Sequence, residues 1–391
     1  MLRRAHGRAA GEKSERPELA DIFRHYSESF QRTHHVSSWE QKVIRAVSIC
    51  RTQSLGGHLD RCDRCGFERP AYNSCRNRHC PKCQSLAKAR WLQKQTSELL
   101  PVGYYHLVFT LPHELNRLAL ANKKIVLALL FKAVSETLLE FGRSRLGGTL
   151  GIIAILHTWD QTLKDHFHLH CLVPAGALSF DHSCWINARS NFLFPVKALS
   201  RVFRGKFLAW LKQTIDRGKI APTDIAIKAL HQKNWNVHAK KPFGSPHTVL
   251  DYLGRYTHRV ALSNDRILKI EKGEILLSYR DRKDGDRKKT MVLEAHEFIR
   301  RFLLHVLPDG FMRIRHFGFL ANRSKKRLLP RCRQLLNLDP ALPHHPVESA
   351  KELLLTITGV DLSRCPCCHH GTMMVVAELP ALPNALPWDS S

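Results

Sequence analysis

The sequence lacks the features that membrane and secreted proteins require. In its 391 residues, no apolar run approaches the roughly 18 residues of a membrane-spanning helix. The opening stretch, MLRRAHGRAAGEKSERPELA, is basic and lacks the apolar segment of a secretory signal. We therefore expect a cytoplasmic location and no membrane partner.

Acidic residues are also scarce. The chain has 34 Asp and Glu against 61 Lys and Arg, which gives a formal net charge of +27. An excess of this size favours a polyanionic partner, and without a membrane signal that partner is nucleic acid. The length suffices for two or three domains, and no internal repeat is visible.

Cysteine, by contrast, is abundant, and its spacing is typical of metal binding. Twelve cysteines in a cytoplasmic chain argue for metal and against disulfides. Cys62-x-x-Cys65 and Cys80-x-x-Cys83 are separated by fourteen residues, the spacing of a zinc ribbon. These four cysteines are the predicted ligands of one structural zinc ion. Cys75 or His79 could replace one of them.

Two further observations accompany this cluster. Basic side chains surround the second cysteine pair, which predicts contact with nucleic acid through Arg76, Arg78 and Lys82. Near the other end of the chain, Cys365-Pro-Cys-Cys368 forms a single knuckle without a second CxxC after it. Another zinc ion there is an open alternative to an unmetallated turn, because the remaining ligands are not evident.

A histidine triplet lies in an apolar run. In His168-Leu169-His170, a strand would turn both imidazoles to one face, because side chains alternate along a strand. His157, near the end of the preceding predicted strand, is within reach as a third ligand. Such a face suits Mg²⁺ or Mn²⁺ when phosphate completes the coordination. The alternative is a histidine pair without a metal role.

Two tyrosines follow the triplet. Tyr252 and Tyr256 are four residues apart and would share one face of a helix. Arg255 and Arg259 make that stretch cationic, which favours a phenolate and phosphate binding. A tyrosine could then attack DNA phosphorus and hold the cut end covalently. The alternative is an aromatic stripe packed in a core.

The periodicities predict an α+β fold. Residues 151–158 and 167–173 are expected to be central in an antiparallel sheet of about five strands. Helices are expected to flank this sheet, with the zinc-ribbon module N-terminal to it. The predicted divisions are a disordered N-terminus (1–17), a zinc-binding and DNA-binding domain (18–100), a catalytic domain (101–300), a basic helical region with the CxxC knuckle (301–375) and a flexible tail (376–391).

Several ordered stretches resemble the rolling-circle transposases of insertion-sequence family 91, in the HUH endonuclease group. The matching stretches are CRTQSLGGHLDRCDRCG, AYNSCRNRHCPKCQ, YYHLVFTLPHELN, LHTWDQTLKDHFHLHCLVPAGALS and YLGRYTHRVALSNDRI. The resemblance extends from about residue 18 to 375. One departure is Asp160, where the family leads us to expect glycine, and this leaves the shape of that loop open.

The resemblance implies a zinc-binding domain followed by a two-tyrosine HUH domain. The family histidines correspond to His168 and His170, with His157 the best third ligand and Gln161 or His166 as alternatives. The family tyrosines correspond to Tyr252 and Tyr256. The implied activity is metal-dependent nicking and strand transfer of single-stranded or hairpin DNA at element ends, through a 5′-phosphotyrosine.

Two other functions remain open. A non-catalytic zinc-ribbon regulator would also need the basic charge and the cysteines, and a plasmid replication initiator or relaxase would share the chemistry. A three-carboxylate transposase is less consistent with the sequence, because no Asp/Asp/Glu set stands out. The histidine pair and a tyrosine together are required by the nicking chemistry and not by the non-catalytic regulator.

Overall fold

The computed structural model describes residues 16–188, 193–221, 227–243, 248–249, 254, 261–281, 284–342 and 349–383. The helices are α1 (Leu19–Thr33), α2 (Ser38–Ser48), α3 (Pro81–Glu98), α4 (Asn116–Ala121), α5 (Lys123–Phe141), α6 (Val196–Asp216), α7 (Ile227–Gln232), α8 (Ala295–Leu304), α9 (Asn322–Leu335) and α10 (Ala350–Thr358). The strands are β1 (Gly57–Cys62), β2 (Glu68–Tyr72), β3 (Tyr104–Thr110), β4 (Gly148–Thr149), β5 (Gly151–Trp159), β6 (Asp165–Pro174), β7 (Gly176–Ser179), β8 (Trp185–Asn187), β9 (Val237–Phe243), β10 (Ile267–Glu271), β11 (Glu274–Asp281), β12 (Arg287–Glu294), β13 (Ile314–Gly318) and β14 (Met373–Leu379). Within these residues, no helix combines the length and apolarity needed to span a bilayer.

A five-stranded antiparallel sheet carries the candidate site. Its strand order is β13-β5-β6-β3-β9. Strand β6 lies at the centre, with β5 on one side and β3 on the other. The predicted α+β class, with an antiparallel sheet flanked by helices, is confirmed, and the two strands expected to be central are neighbours inside the sheet.

One face of this sheet packs against α5 and α6. Leu169 and Cys171 of β6 alternate onto this face and are fully buried, together with Leu130 of α5. The rings of Phe109 on β3 and Phe203 on α6 meet edge to face, with centroids 5.3 Å apart. Burial of each such side chain stabilises the fold by about 1.5–3 kcal/mol, which makes β6 a rigid support.

The opposite face has an apolar end and a histidine end. At the apolar end, Ile155 and Leu172 pack with Leu329 of α9 and with Val249, and Leu92 of α3 packs against the same cluster. Since Ile155 lies two residues before His157 on the same strand, this cluster continues directly into the histidine site. The sheet that carries the histidine site is therefore packed against apolar side chains on both of its faces.

Helices α1, α2 and α8 pack with the sheet β10-β11-β12 in a separate apolar cluster. Helix α2 begins with a capping box in which Ser37 and Glu40 satisfy each other's backbone N–H groups. The turn between β10 and β11 consists of Lys272 (φ 49°) and Gly273 (φ 82°), both left-handed. That geometry is typical of a tight hairpin turn.

A third sheet joins the two ends of the chain. Strand β1 pairs with β2 on one side and with β14 on the other, from Gly57 opposite Leu379 to Cys62 opposite Met373. Residues 376–379, which the sequence assigned to a flexible tail, are thus paired strand residues. The predicted boundary at residue 300 also fails to follow the sheets, because β13 pairs with β5. Both predictions missed strand pairs that are distant in sequence.

Candidate functional site

Strand register brings three histidines onto one face of the central sheet. His157 on β5 lies directly opposite His168 on β6, and His170 lies opposite Ile155 on the same side. Paired residues and those two positions along share a face in an antiparallel sheet. One ring nitrogen from each histidine lies within 4.8 Å of one from each of the others. We call His157, His168 and His170 the histidine cluster.

Hydrogen bonds orient two of these rings. The Nδ1 of His168 lies 2.9 Å from the backbone oxygen of His166, so that this nitrogen carries the proton and Nε2 is the donor atom. The Nδ1 of His170 lies 2.9 Å from Nε2 of His106, and the two rings lie nearly in one plane, as an in-plane hydrogen bond requires. A ring whose other nitrogen is held in this way is the usual arrangement of a metal-binding histidine.

His106 is buried and uncharged. Burial, assisted by the charges of Lys240, His238 and His168, lowers the pKa of His106 to about 3. A neutral His106 accepts the Nδ1–H of His170 and leaves the opposite edge of His170 facing the cluster. His106 was not among the site residues predicted from the sequence. Its signal was a lone histidine in the apolar strand YYHLVFT, at the parity that matches His170 across the β3–β6 pair.

The alternatives for the third ligand are separated by position. His157 is buried and belongs to the cluster. His166 is exposed, and its ring stands 4.7 Å from that of His168 without joining the set. Gln161 lies in the β5–β6 loop, where its backbone oxygen accepts a bond from Arg266. The geometry thus favours His157, the first of the three alternatives.

The loop after His157 is organised by the residue that departs from the family pattern. The Asp160 carboxylate accepts bonds from the backbone N–H groups of Thr162 (2.8 Å) and Lys164 (2.9 Å). Its own N–H bonds to the Lys164 carbonyl oxygen. Trp159 then stacks on His157 with centroids 4.8 Å apart. Asp160 therefore closes the loop from the position where glycine was expected, and Trp159 still packs against His157 of the histidine cluster.

The donor set fits a divalent cation. Three neutral imidazoles on rigid strands supply nitrogen donors without charge, which leaves coordination positions and positive charge for phosphate oxygens. The N–H···O contact at His168 and the N–H···N contact at His170 fix which nitrogens face the site. The arrangement can hold a metal ion and polarise a phosphodiester.

The predicted nucleophiles Tyr252 and Tyr256 lie outside the described residues. Their described neighbours are Val249, which is fully buried on the histidine-bearing face, and Gly254. A Cβ added to Gly254 would lie 3.0 Å from Lys88 Cε and 3.1 Å from Leu92 Cδ1, both on α3. Gly254 therefore lies against α3, and Val249 is buried on the face of the sheet that carries the histidine cluster.

The predicted single zinc site of Cys62, Cys65, Cys80 and Cys83 is wrong. The structure divides these residues between two groups. The N-terminal cysteine cluster contains Cys50, Cys75, Cys80 and Cys83. The composite cysteine cluster contains Cys62, Cys65, Cys365 and Cys368. The first CxxC begins at the end of strand β1, and β1 pairs with β2 on one side and with β14 on the other. This CxxC therefore lies next to the C-terminal knuckle and not next to the second CxxC. Sequence spacing alone does not show the pairing of β1 with β14.

The N-terminal cysteine cluster has the dimensions of a zinc tetrahedron. Cys50 Sγ lies 3.6 Å from the sulfurs of Cys80 and Cys83, and Cys75 lies 3.6 Å from Cys83. Zinc–sulfur bonds of about 2.3 Å give tetrahedral edges of about 3.8 Å. Cys80 caps α3, which begins with Pro81. The alternative that Cys75 is a ligand is supported, and Cys50 was not expected.

The charges of these sulfurs are interdependent. Hydrogen bonds from Cys75, Cys80 and Cys83 lower the pKa of the Cys50 thiol. Hydrogen bonds with Cys50, Cys80 and Cys83 raise that of Cys75. Four sulfurs this close share few negative charges unless a cation neutralises them. The other predicted substitute, His79, is not in the cluster, and burial lowers its pKa well below the usual value.

The predicted DNA-binding residues have different surroundings. Arg78 donates to the carbonyl oxygens of Phe311 (2.5 Å) and Pro308 (2.8 Å), which argues against a DNA contact because the protein occupies its donors. Lys82 forms an ion pair with Glu18 at 2.5 Å. Arg76 is exposed and stays a prediction. The other two, Arg255 and Arg259, lie outside the described residues.

Comparison with known proteins identifies the family. Residues 151–327 match the family described as "Putative transposase", and residues 22–111 match the family described as "Transposase zinc-binding domain". The chain is 45% identical over 379 residues to "Putative transposase y4qJ" of Sinorhizobium fredii, covering 92% of this chain and 95% of that protein. It belongs to the insertion-sequence family 91 transposases.

Other comparisons agree with this assignment. The transposase is 28% identical over 360 residues to the "Transposase for insertion sequence element IS801" of Pseudomonas savastanoi pv. phaseolicola, covering 86% of this chain and 83% of that protein. No solved structure matches it. The zinc-binding match contains all of the N-terminal cysteine cluster but only Cys62 and Cys65 of the composite one.

Proposed function

We propose that this transposase nicks and joins single-stranded DNA at the ends of its insertion sequence. The course is of the rolling-circle type, takes place in the cytoplasm and passes through a 5′-phosphotyrosine. The observation that carries the proposal is the histidine cluster, three oriented imidazoles on one rigid sheet face. Val249, three residues before Tyr252 in the sequence, is buried on that same face.

In this proposal the histidine cluster holds a divalent ion, Mg²⁺ or Mn²⁺. The bound ion supplies Lewis-acid polarisation of the scissile phosphate. His106 keeps the Nδ1 of His170 engaged, and the His166 carbonyl does the same for His168. The packed faces of β5 and β6 hold the donors in place, so little reorganisation is needed when substrate enters.

A tyrosine of the 252/256 pair is the proposed nucleophile. Its phenol loses its proton and the phenol oxygen bonds to phosphorus, the P–O3′ bond breaks, and the 3′ oxygen takes up a proton and leaves as a hydroxyl. The phosphotyrosine retains the energy of the broken diester, so no nucleotide cofactor is needed. Arg255 precedes Tyr256 directly in the sequence, and Arg259 follows it by three residues, so we assign the first cut to Tyr256.

The polyanion is DNA in this proposal, and the charge of +27 supports it. Arg76, Arg255 and Arg259 are the proposed contacts to the phosphate backbone, because arginine pairs with phosphate in a bidentate manner. Such contacts would weaken as salt rises, without regard to sequence. The zinc-binding domain supplies the scaffold for the first of them.

Covalent trapping tests the proposal. The full-length protein is incubated with fluorescent single strands that carry the element ends, with Mg²⁺ or Mn²⁺ or with EDTA, and resolved on a denaturing gel. We expect a protein–DNA band with either ion and none with EDTA. A band that survives EDTA contradicts the metal role. A band formed on plasmid origins but not on element ends favours a replication initiator.

Two matched variants test the tyrosines. Tyr256→Phe should abolish the covalent band, because phenylalanine keeps the ring and removes the nucleophile. Tyr252→Phe should still form the band and fail in the complete transposition assay. The reverse pattern reverses the order of the two tyrosines. If both variants retain the band, neither tyrosine alone is required and the assignment of Tyr256 to the first cut is wrong. A wild-type protein that binds the ends but forms no band would favour the non-catalytic regulator.

A further inference from the structure

The composite cysteine cluster joins parts of the chain that neither family match joins. The sulfurs of Cys62 and Cys368 lie 3.7 Å apart, and those of Cys65 and Cys365 lie 3.6 Å apart. Both distances are close to the tetrahedral edge of about 3.8 Å that zinc–sulfur bonds of about 2.3 Å produce. They are far beyond a disulfide bond of about 2.05 Å.

The two CxxC segments have the same turn. In the first, the N–H of Gly66 donates to the carbonyl of Cys62 at 3.2 Å, and Gly66 is left-handed at φ 72°. In the second, the N–H of His369 donates to the carbonyl of Cys365 at 3.0 Å, and His369 is left-handed at φ 59°. A histidine in this uncommon conformation indicates that the turn is imposed by the site.

The first sulfur of each segment also accepts the same backbone bond. The N–H of Arg64 points at Cys62 Sγ (3.4 Å), and the N–H of Cys367 points at Cys365 Sγ (3.4 Å). Such bonds stabilise thiolate over thiol. Two copies of one knuckle, each with two sulfurs directed at a common centre, make the closed S₄ set that structural zinc prefers.

The residues around the two CxxC segments pack closely and hydrogen-bond across them. A Cβ on Gly371 would overlap the Cys62 sulfur. The N–H of Thr372 donates to the Asp63 carboxylate at 2.8 Å, and the N–H of Asp63 donates back to the Thr372 carbonyl at 3.1 Å. These contacts continue into the β1–β14 pairing. The C-terminal segment is therefore built to complete the N-terminal knuckle.

We propose that Cys62, Cys65, Cys365 and Cys368 bind a second structural zinc ion, which fastens the C-terminal segment to the N-terminal zinc-binding domain. Two of its ligands lie outside the 22–111 match to the zinc-binding domain, about 300 residues further along the chain. A crosslink over that span removes much of the freedom of the C-terminal segment. This inference does not depend on how the transposase cuts DNA.

Thiol labelling of the wild-type protein provides a test without any substitution. Cys65, Cys184 and Cys367 are all exposed, but only Cys65 belongs to the proposed site. With iodoacetamide and mass spectrometry, we expect Cys367 and Cys184 to react in the native protein and Cys65 to react only after chelation. Equal reactivity of Cys65 and Cys367 before chelation overturns the proposal, as does a disulfide at Cys65.

Zinc content gives the second test. Measured in the His168→Ala background, so that the histidine cluster adds no zinc ion of its own, the full-length protein should hold two zinc ions, and Cys365→Ser should hold one. The adjacent Cys367→Ser is the matched control and should hold two. Amide exchange in residues 373–379 should rise at least tenfold in Cys365→Ser and stay unchanged in α5. One zinc ion in the wild type, or two in Cys365→Ser, overturns the proposal. If Cys365→Ser misfolds, the labelling result decides.

Discussion

The histidine cluster and the N-terminal cysteine cluster use opposite means to hold donors together. The three histidines offer uncharged imidazole donors from two adjacent strands, and the His166 carbonyl and His106 orient the rings of His168 and His170. The four cysteines come from the end of α2, a loop and the start of α3, and they share few negative charges unless a cation is present. The first set is rigid by itself, and the second depends on its cation.

The difference teaches what each cluster can do. The negative charge of four thiolates exceeds the charge of a dication, and four sulfurs complete its tetrahedral coordination. Such a site therefore has a structural role. Three imidazoles leave the charge and open positions of a dication available to a phosphate. Losing one ligand should therefore disrupt folding at the cysteines and chemistry at the histidines. The following predictions test that division.

The largest effect is expected for Cys80→Ser. Zinc binding to a four-ligand structural site is coupled to folding by about 10–16 kcal/mol, and one lost thiolate forfeits much of it. We expect α1 to α3 to lose cooperative unfolding and the protein to lose one zinc ion, measured by circular dichroism and elemental analysis.

Cys367→Ser is the control for this change, because Cys367 is exposed and belongs to neither cluster. It should unfold like the wild type. If Cys80→Ser keeps its zinc and its transition temperature, the N-terminal cysteine cluster is not a structural zinc site. The proposed contrast between this cluster and the histidine cluster is then wrong.

His168→Ala should act on activity alone. Without this ligand we expect covalent adduct formation to fall by at least about 10³-fold, because several kcal/mol of charge stabilisation are lost. Thermal unfolding should change little, since the packed side of β6 is untouched. Gel quantification and calorimetry measure the two effects.

His166→Ala is its matched control. His166 is exposed and close to His168, and alanine at this position retains the backbone oxygen to which the His168 Nδ1 is hydrogen-bonded. Its activity should stay within about threefold of the wild type. A loss as large as that of His168→Ala would make His166 the third ligand in place of His157.

The histidine cluster was predictable because its geometry is local. Alternation along one strand places His168 and His170 together, and the short β5–β6 loop fixes His157 opposite them. His106 could not be assigned, because the β3–β6 pairing that brings it to His170 joins residues 64 apart in sequence. The tyrosine pair lies outside the described residues and stays a prediction.

The cysteine ligands were only half predictable for the same reason. Each CxxC is a local signal: the first two predict metal knuckles, and the third leaves a zinc ion and an unmetallated turn open. Which knuckles share an ion is decided by strand β14, which pairs with β1 from the far end of the chain. Cys50 lacks a neighbouring cysteine in the sequence and was overlooked. Local spacing predicts that a metal binds, and tertiary pairing decides which cysteines can share an ion.

A smaller effect is expected for His106→Phe. Phenylalanine keeps an aromatic ring at this buried position while the bond to the His170 Nδ1 is lost. Removing such an outer hydrogen bond typically costs 10–100-fold in metal affinity. We expect the Mn²⁺ concentration for half-maximal adduct formation to rise by about that factor, with full activity restored at saturating Mn²⁺. His316→Phe, a change on the edge strand β13, should leave it unchanged. Activity that stays low at saturating ion would assign His106 a role other than positioning.

The smallest effect is expected for His305, a buried histidine with no proposed metal role. Changing this residue tests the effect of burial on a histidine without changing a proposed metal ligand. His305 at the end of α8 faces the Leu163 carbonyl (3.1 Å) and the Thr158 hydroxyl (3.3 Å), and burial lowers its pKa to about 4. The unfolded chain binds this proton near the usual value of about 6.5, so stability falls as pH drops from 6.5 toward 4. Between pH 7.5 and 5, this group should account for a loss of about 2 kcal/mol, and His305→Gln should lack that part of the loss. Urea unfolding at both pH values, in EDTA so that metal release does not contribute, measures the difference. An equal loss in the variant would show that the acid sensitivity originates elsewhere.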